Sequence, residues 1–143
     1  MLPRMRESWR TFDHTGDLGL EIEAATPERL HALAAEAVSA LVAEPLPEPP
    51  GVRHRVVLEG DDPRDLFVHW LNTALLEAEV RHAIWTRITV TALDPHRLAA
   101  ELQGQTIRLR HHVLGREIKA VSHHHLELDL SPGACRARVV LDL

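Results

Sequence analysis

Asp62-Pro63-Arg64-Asp65-Leu66-Phe67-Val68-His69-Trp70-Leu71-Asn72-Thr73-Ala74-Leu75 is the stretch on which the fold turns. Asp62 is an acidic N-cap and Pro63 occupies the first helical turn, where its missing N–H costs nothing. Leu66, Phe67, Trp70, Leu71, Ala74 and Leu75 then recur at helical spacing and make one apolar face. The spacing predicts a helix over 62–81 with the strongest core stripe in the chain. A helix with one apolar face must bury it against another layer.

Upstream, Thr26-Pro27-Glu28 repeats the same start signal: a hydroxyl cap, a first-turn Pro and an acid against the dipole. Leu30, Leu33, Ala34, Ala37, Val38 and Leu41 continue it as a helical stripe over 26–43. Pro45 to Gly51 stops that helix and makes an extended connector. Leu18, Leu20 and Ile22 alternate with Gly19, Glu21 and Glu23, as in a half-buried strand. Val52, His54, Val56 and Leu58 alternate with Arg53 and Arg55 in another. Downstream the pattern is strand after strand: 84–93, 98–103, 106–111, 118–124, 126–130 and 135–143. Ser131-Pro132-Gly133 joins the last two as a turn. The expected fold is α+β, a two-layer sandwich with a mainly antiparallel sheet and two helices on one face. Residues 1–143 read as one domain.

The 143 residues carry a formal charge of -5, so the chain is no basic nucleic-acid coat. Aromatic residues are 3% with no Tyr, which disfavours sustained stacking on single-stranded RNA. The lone Cys135 permits no internal disulfide and no cysteine zinc cage, and reads as a small core residue. Met1 to Trp9 carries Arg4 and Arg6 with no apolar run behind them, so no secretory signal is expected. No stretch approaches a membrane span, and a cytoplasmic protein is expected.

Three segments carry candidate chemistry. Glu117-Ile118-Lys119-Ala120-Val121-Ser122-His123-His124 is a strand that spends Lys119 on the same face as Val121. A buried lone ammonium is costly, so Lys119 should reach water, a carboxylate or a phosphate. His14-Thr15-Gly16-Asp17 and Val139-Val140-Leu141-Asp142 supply carboxylates. Alone, Asp17 reads as a turn or cap residue and Asp142 as a solvated end. Together with His14 they would make a hard, oxygen-rich site for Mg2+ or Ca2+, with Lys119 as phosphate anchor or counter-charge.

The His111-His112 and His123-His124-His125 runs raise a zinc reading. Neighbours on a strand face opposite ways, so such a run cannot give all its rings to one metal. There is no His-Glu-x-x-His helix, no Walker-type phosphate loop and no nucleophile elbow. His31, His54, His69, His82 and His96 are expected on the surface of helices and loops.

At His14-Thr15-Gly16-Asp17, Trp70-Leu71-Asn72, Ile118-Lys119-Ala120-Val121-Ser122-His123-His124 and Val139-Val140-Leu141-Asp142 the chain resembles the archease family. The order and spacing of the four motifs extend the resemblance over almost the whole chain. It implies a small non-enzymatic cofactor for an RtcB-type RNA ligase, which acts in tRNA splicing and RNA repair. That ligase joins a 2′,3′-cyclic or 3′-phosphate end to a 5′-hydroxyl end. It is first guanylylated on a histidine, using GTP and a divalent metal. Archease-like proteins promote that step and multiple turnover. By the same resemblance Asp17 and Asp142 form the acidic metal site, Ca2+ or Mg2+ is its ion, Lys119 matches the family lysine and His14 belongs to the motif. RNA would be touched through the ligase and no membrane is involved.

Gly16 stands for the usual Ala, and Ser122-His123 for Thr-Tyr. The segment from Gly104 to Gly115 is shorter and less acidic than in many relatives and names no third carboxylate. Two other readings stand beside the activator: a chaperone-like modulator of RNA-modifying enzymes such as methyltransferases, and an autonomous metal-dependent phosphohydrolase built on the same two Asp residues.

Overall fold

The computed structural model describes residues 7–143. The reading of Arg4 and Arg6 therefore lies outside the described residues. In chain order the elements are β1 (Ser8–His14), β2 (Asp17–Ala24), α1 (Pro27–Val42), β3 (Val52–Glu59), α2 (Pro63–Arg81), β4 (Ala83–Leu93), β5 (Arg97–Thr106), β6 (Ala120–Asp129) and β7 (Cys135–Asp142). The chain is an α+β sandwich of two helices and antiparallel strands, as the element order predicts. Both caps form as the sequence dictates. Thr26 accepts from the Arg29 amide at 3.1 Å and Asp62 from the Asp65 amide at 2.8 Å.

The strands divide between two sheets, β1-β2-β7-β6 and β3-β5-β4, where the sequence reading expects one. Alternation marks each strand's inner face but not its partner. The β3–α2–β4–β5 segment pairs within itself, and the chain then returns to complete the first sheet. Both helices pack on the inner face of the four-stranded sheet, α1 over β2 and β7 and α2 over β6. Both also touch β4, so they are shared by the two sheets, and one continuous core runs through all the layers. Helix α1 affords this because it is rich in small residues. Ala32, Ala34, Ala35 and Ala37 are all buried, along with Leu30 and Val38. Indole donors tie the layers: Trp70 Nε1 donates to the His31 carbonyl at 2.8 Å, and Trp85 Nε1 to the Ala74 carbonyl at 3.0 Å.

Three local readings change. The expected strand over 106–111 ends at Thr106, and the chain turns with the His111 and His112 amides donating to the Arg108 carbonyl. The segment then caps α1: the Gly115 and Arg116 amides donate to the Val42 and Leu41 carbonyls, which the helix itself cannot satisfy. The strands read as 118–124 and 126–130 are one strand, β6, with a large bulge. Opposite the single Val139 of β7 stand four residues of β6, from His123 to Leu126. His31 is not on the surface. It is 1% exposed, its Nδ1 lies 2.7 Å from the Pro27 carbonyl, and its ring meets Phe67 edge-on. Burial holds its pKa below the ordinary imidazole value. Among the described residues, no helix is long and apolar enough to cross a membrane.

Candidate functional site

The outer face of the four-stranded sheet is organised in rows across the strands. Partners in an antiparallel ladder point to the same side. Arg10, Glu21, Arg138 and Glu127 form one row, so cations and anions alternate. Arg10 reaches Glu21 at 2.6 Å and Arg138 reaches it at 3.4 Å. The next row holds Phe12, Gly19, Val140 and Ser122. Phe12 lies so close over Gly19 that any side chain there would strike the ring. The Arg138 guanidinium sits 4.0 Å from the Phe12 ring centroid.

The third row is the candidate site. His14 pairs with Asp17 across the two-residue turn Thr15-Gly16. Gly16 has φ +74, which explains why glycine suits the second turn position. The last β2–β7 pair is Leu18 with Leu141. One position further, the same register sets Asp17 opposite Asp142. On the far side Asp142 pairs with Ala120, and the Lys119 amide donates to the Asp142 carbonyl at 2.8 Å. Residues far apart in sequence thus reach one end of one sheet. Asp17 and Asp142 are half-buried, while Lys119 is exposed.

This row lacks the compensation of the first. Among the described residues neither Asp17 nor Asp142 enters an ion pair. Like charges on facing strand positions are unfavourable without a counter-charge. Two carboxylates of this kind fit a hard divalent cation such as Mg2+ or Ca2+. Among the described residues no group of three or more His, Cys, Asp or Glu is placed to hold a metal. An ion on Asp17 and Asp142 would therefore keep several waters, as Mg2+ commonly does.

Lys119 also lines a cavity of about 580 Å3 with Asn72, Glu79, His82 and Glu117. Asn72 is a positioning residue to which the sequence alone gives no role. Its Oδ1 accepts from the Val121 amide at 2.8 Å and its Nδ2 donates to the Val121 carbonyl at 3.0 Å. This amide clamp fixes the start of β6, directly after Lys119, against α2. His112 of the other His run is buried and structural, with Nε2 3.2 Å from Gln105 Oε1.

Comparison with known proteins bears on the whole chain. Curated relatives named Protein archease include one from Methanopyrus kandleri, 25% identical over 94% of this chain and 99% of its own length. Another, from Methanosarcina mazei, is 25% identical over 99% of this chain and 100% of its own. The solution structure of protein 1598 of Methanobacterium thermoautotrophicum superposes with a TM-score of 0.77, at 24% identity, over 94% of this chain and 98% of that one. The crystal structure of an archease and possible chaperone from Thermotoga maritima gives 0.64 at 20% identity, over 99% of this chain and 100% of that one. Both structures share the fold. Residues 9–143 match the Archease protein family (MTH1598/TM1083), and with four motifs gathered on one scaffold the chain belongs to the archease family.

Proposed function

We propose that this protein is a non-enzymatic activator of an RtcB-type RNA ligase, promoting guanylylation of the ligase from GTP and its repeated turnover in cytoplasmic tRNA splicing and RNA repair. What supports the reading is the third row of the sheet, where continuing the β2–β7 register past Leu18 and Leu141 brings Asp17 level with Asp142, whose carbonyl accepts from the Lys119 amide. Asp17 and Asp142 would hold the divalent ion, which supplies positive charge toward a phosphate. Lys119, one position before the Ala120 that pairs with Asp142, is exposed at the same end of the sheet and turns its ammonium to the neighbouring cavity with Asn72 and Glu79, where it could meet a phosphate. RNA contact through the ligase fits the shortage of rings, since Trp70 and Trp85 are both spent in the core.

The deciding experiment measures guanylylation of an RtcB-type ligase from GTP with and without this protein. Stimulation is expected with the wild type and is lost in Asp17→Asn and in Asp142→Asn, with melting temperatures not lowered. No stimulation by the wild type ends the ligase reading. Full stimulation by both variants removes the carboxylates from it. The second reading, a chaperone-like modulator of RNA-modifying enzymes, draws on the description of the Thermotoga maritima relative and on the exposed apolar side chains of Leu109, Val113 and Leu114. It predicts that a client enzyme stays soluble with this protein and aggregates without it. Release of phosphate from nucleotides by the purified protein would instead favour the phosphohydrolase.

A further inference from the structure

β1 and β6 are the two edges of the four-stranded sheet, separated by β2 and β7. Strands lie about 4.8 Å apart, so the edges of a flat sheet of this order would be roughly 14 Å from each other. Yet the rings of His14 on β1 and His125 on β6 have centroids only 5.2 Å apart, tilted by 52°. The β6 bulge makes this possible. His125 has φ +61, a conformation that breaks the in-and-out alternation of a strand and re-aims the side chain. Both rings line a hollow of about 480 Å3 on the outer face, with Phe12, Arg138 and Val140. His14 Nδ1 is buried there and has no hydrogen-bond partner. A buried ring nitrogen without a partner is costly, and here it borders a hollow shared with a second imidazole.

We propose that His14 and His125 bind a borderline transition-metal ion such as Zn2+, which staples the two edges of the sheet together. Zn–N bonds are roughly 2.0–2.1 Å, so two imidazoles on one tetrahedral ion hold their ring centroids roughly 5 Å apart. The observed spacing needs little rearrangement. Water fills the remaining positions, and His124, whose ring lies 6.1 Å from that of His125, is the nearest further imidazole. Arg138 does not block the hollow with a free charge, because it is engaged by Glu21 and by the Phe12 ring. Imidazole selects zinc, copper or nickel, whereas carboxylates select magnesium or calcium. His14 stands opposite Asp17 across the turn, but the donors proposed here are imidazoles and not carboxylates, and the proposal does not depend on the ligase reading.

The test titrates Zn2+ into the purified full chain by calorimetry and follows thermal unfolding with and without the ion. One Zn2+ per chain is expected, with a rise in melting temperature. His125→Gln, at an exposed position, should keep the fold, weaken Zn2+ binding at least tenfold and abolish the thermal shift. His14→Gln should match it, and the Asp17→Asn/Asp142→Asn double variant should bind Zn2+ like the wild type. Wild-type Zn2+ affinity in His125→Gln overturns the proposal, as does loss of Zn2+ binding in the Asp double variant.

Discussion

Asn72 concentrates two functions in one amide. It joins α2 to β6 and it holds the start of that strand, next to Lys119 and paired with the β7 end that carries Asp142. Asn72→Ala would leave both the amide and the carbonyl of Val121 without their partner. An unsatisfied buried polar group costs about 1–3 kcal/mol, so a loss of about 2–4 kcal/mol is expected in urea denaturation. Asn72→Asp keeps the acceptor and loses the donor, and should fall between. Neither residue number nor residue type discloses this role in advance. A polar side chain after a buried Trp-Leu pair reads equally well as the start of a solvated face. Asp17 and Asp142 were more legible, because each sits beside a buried strand residue, Leu18 and Leu141, whose alternation fixes the outward direction of its neighbour. That the two strands are neighbours is a matter of topology, which alternation does not encode.

Local signals place the helices almost to the residue. Caps are local hydrogen bonds, and Thr26 and Asp62 each make one in the structure. Thr26→Ala and Asp62→Ala should each cost about 1 kcal/mol. The sites belong to different helices, so the double variant should lose the sum within about 0.5 kcal/mol in chemical denaturation. Clear departure from the sum would mean that the two helix starts are coupled through the core. The strands were legible in part. β6 was readable as two strands separated at His125, and His125 is where the backbone takes its positive φ. The apparent strand after Thr106 alternates Ile107, Leu109 and His111, but Leu109 is exposed and the chain turns there, with the His111 and His112 amides on the Arg108 carbonyl, before Gly115 and Arg116 cap α1. β1 carries little apolar signal because it is an edge whose residues are largely exposed.

At the scale of the molecule, two groups of α1 set opposing pH responses. Burial raises the Glu36 carboxyl to about 6 from its ordinary 4.5. Its ionised form is therefore disfavoured in the fold. That penalty is full above about pH 6 and is relieved as pH falls toward 4.5, because the folded state takes up the proton first. His31 works the other way. Its folded pKa lies below 6.5, so the unfolded chain protonates first and stability falls as pH drops below that value. Glu36→Gln isolates the first effect. The variant should melt above the wild type at pH 7, and the gap should close as pH approaches 4.5. A gap that does not change with pH would show that Glu36 is not the titrating group.

β6 ends the four-stranded sheet, and Val121 turns its N–H and C=O away from β7. Exposed edges of this kind invite strand addition, by other proteins or by further copies of the same chain. With Asn72 already holding both groups, Val121 offers an incoming strand nothing to pair with. A binding partner arriving at this end of the molecule must recognise side chains and their charge, and the end of the sheet that carries Asp142 is kept open without becoming a seed for aggregation.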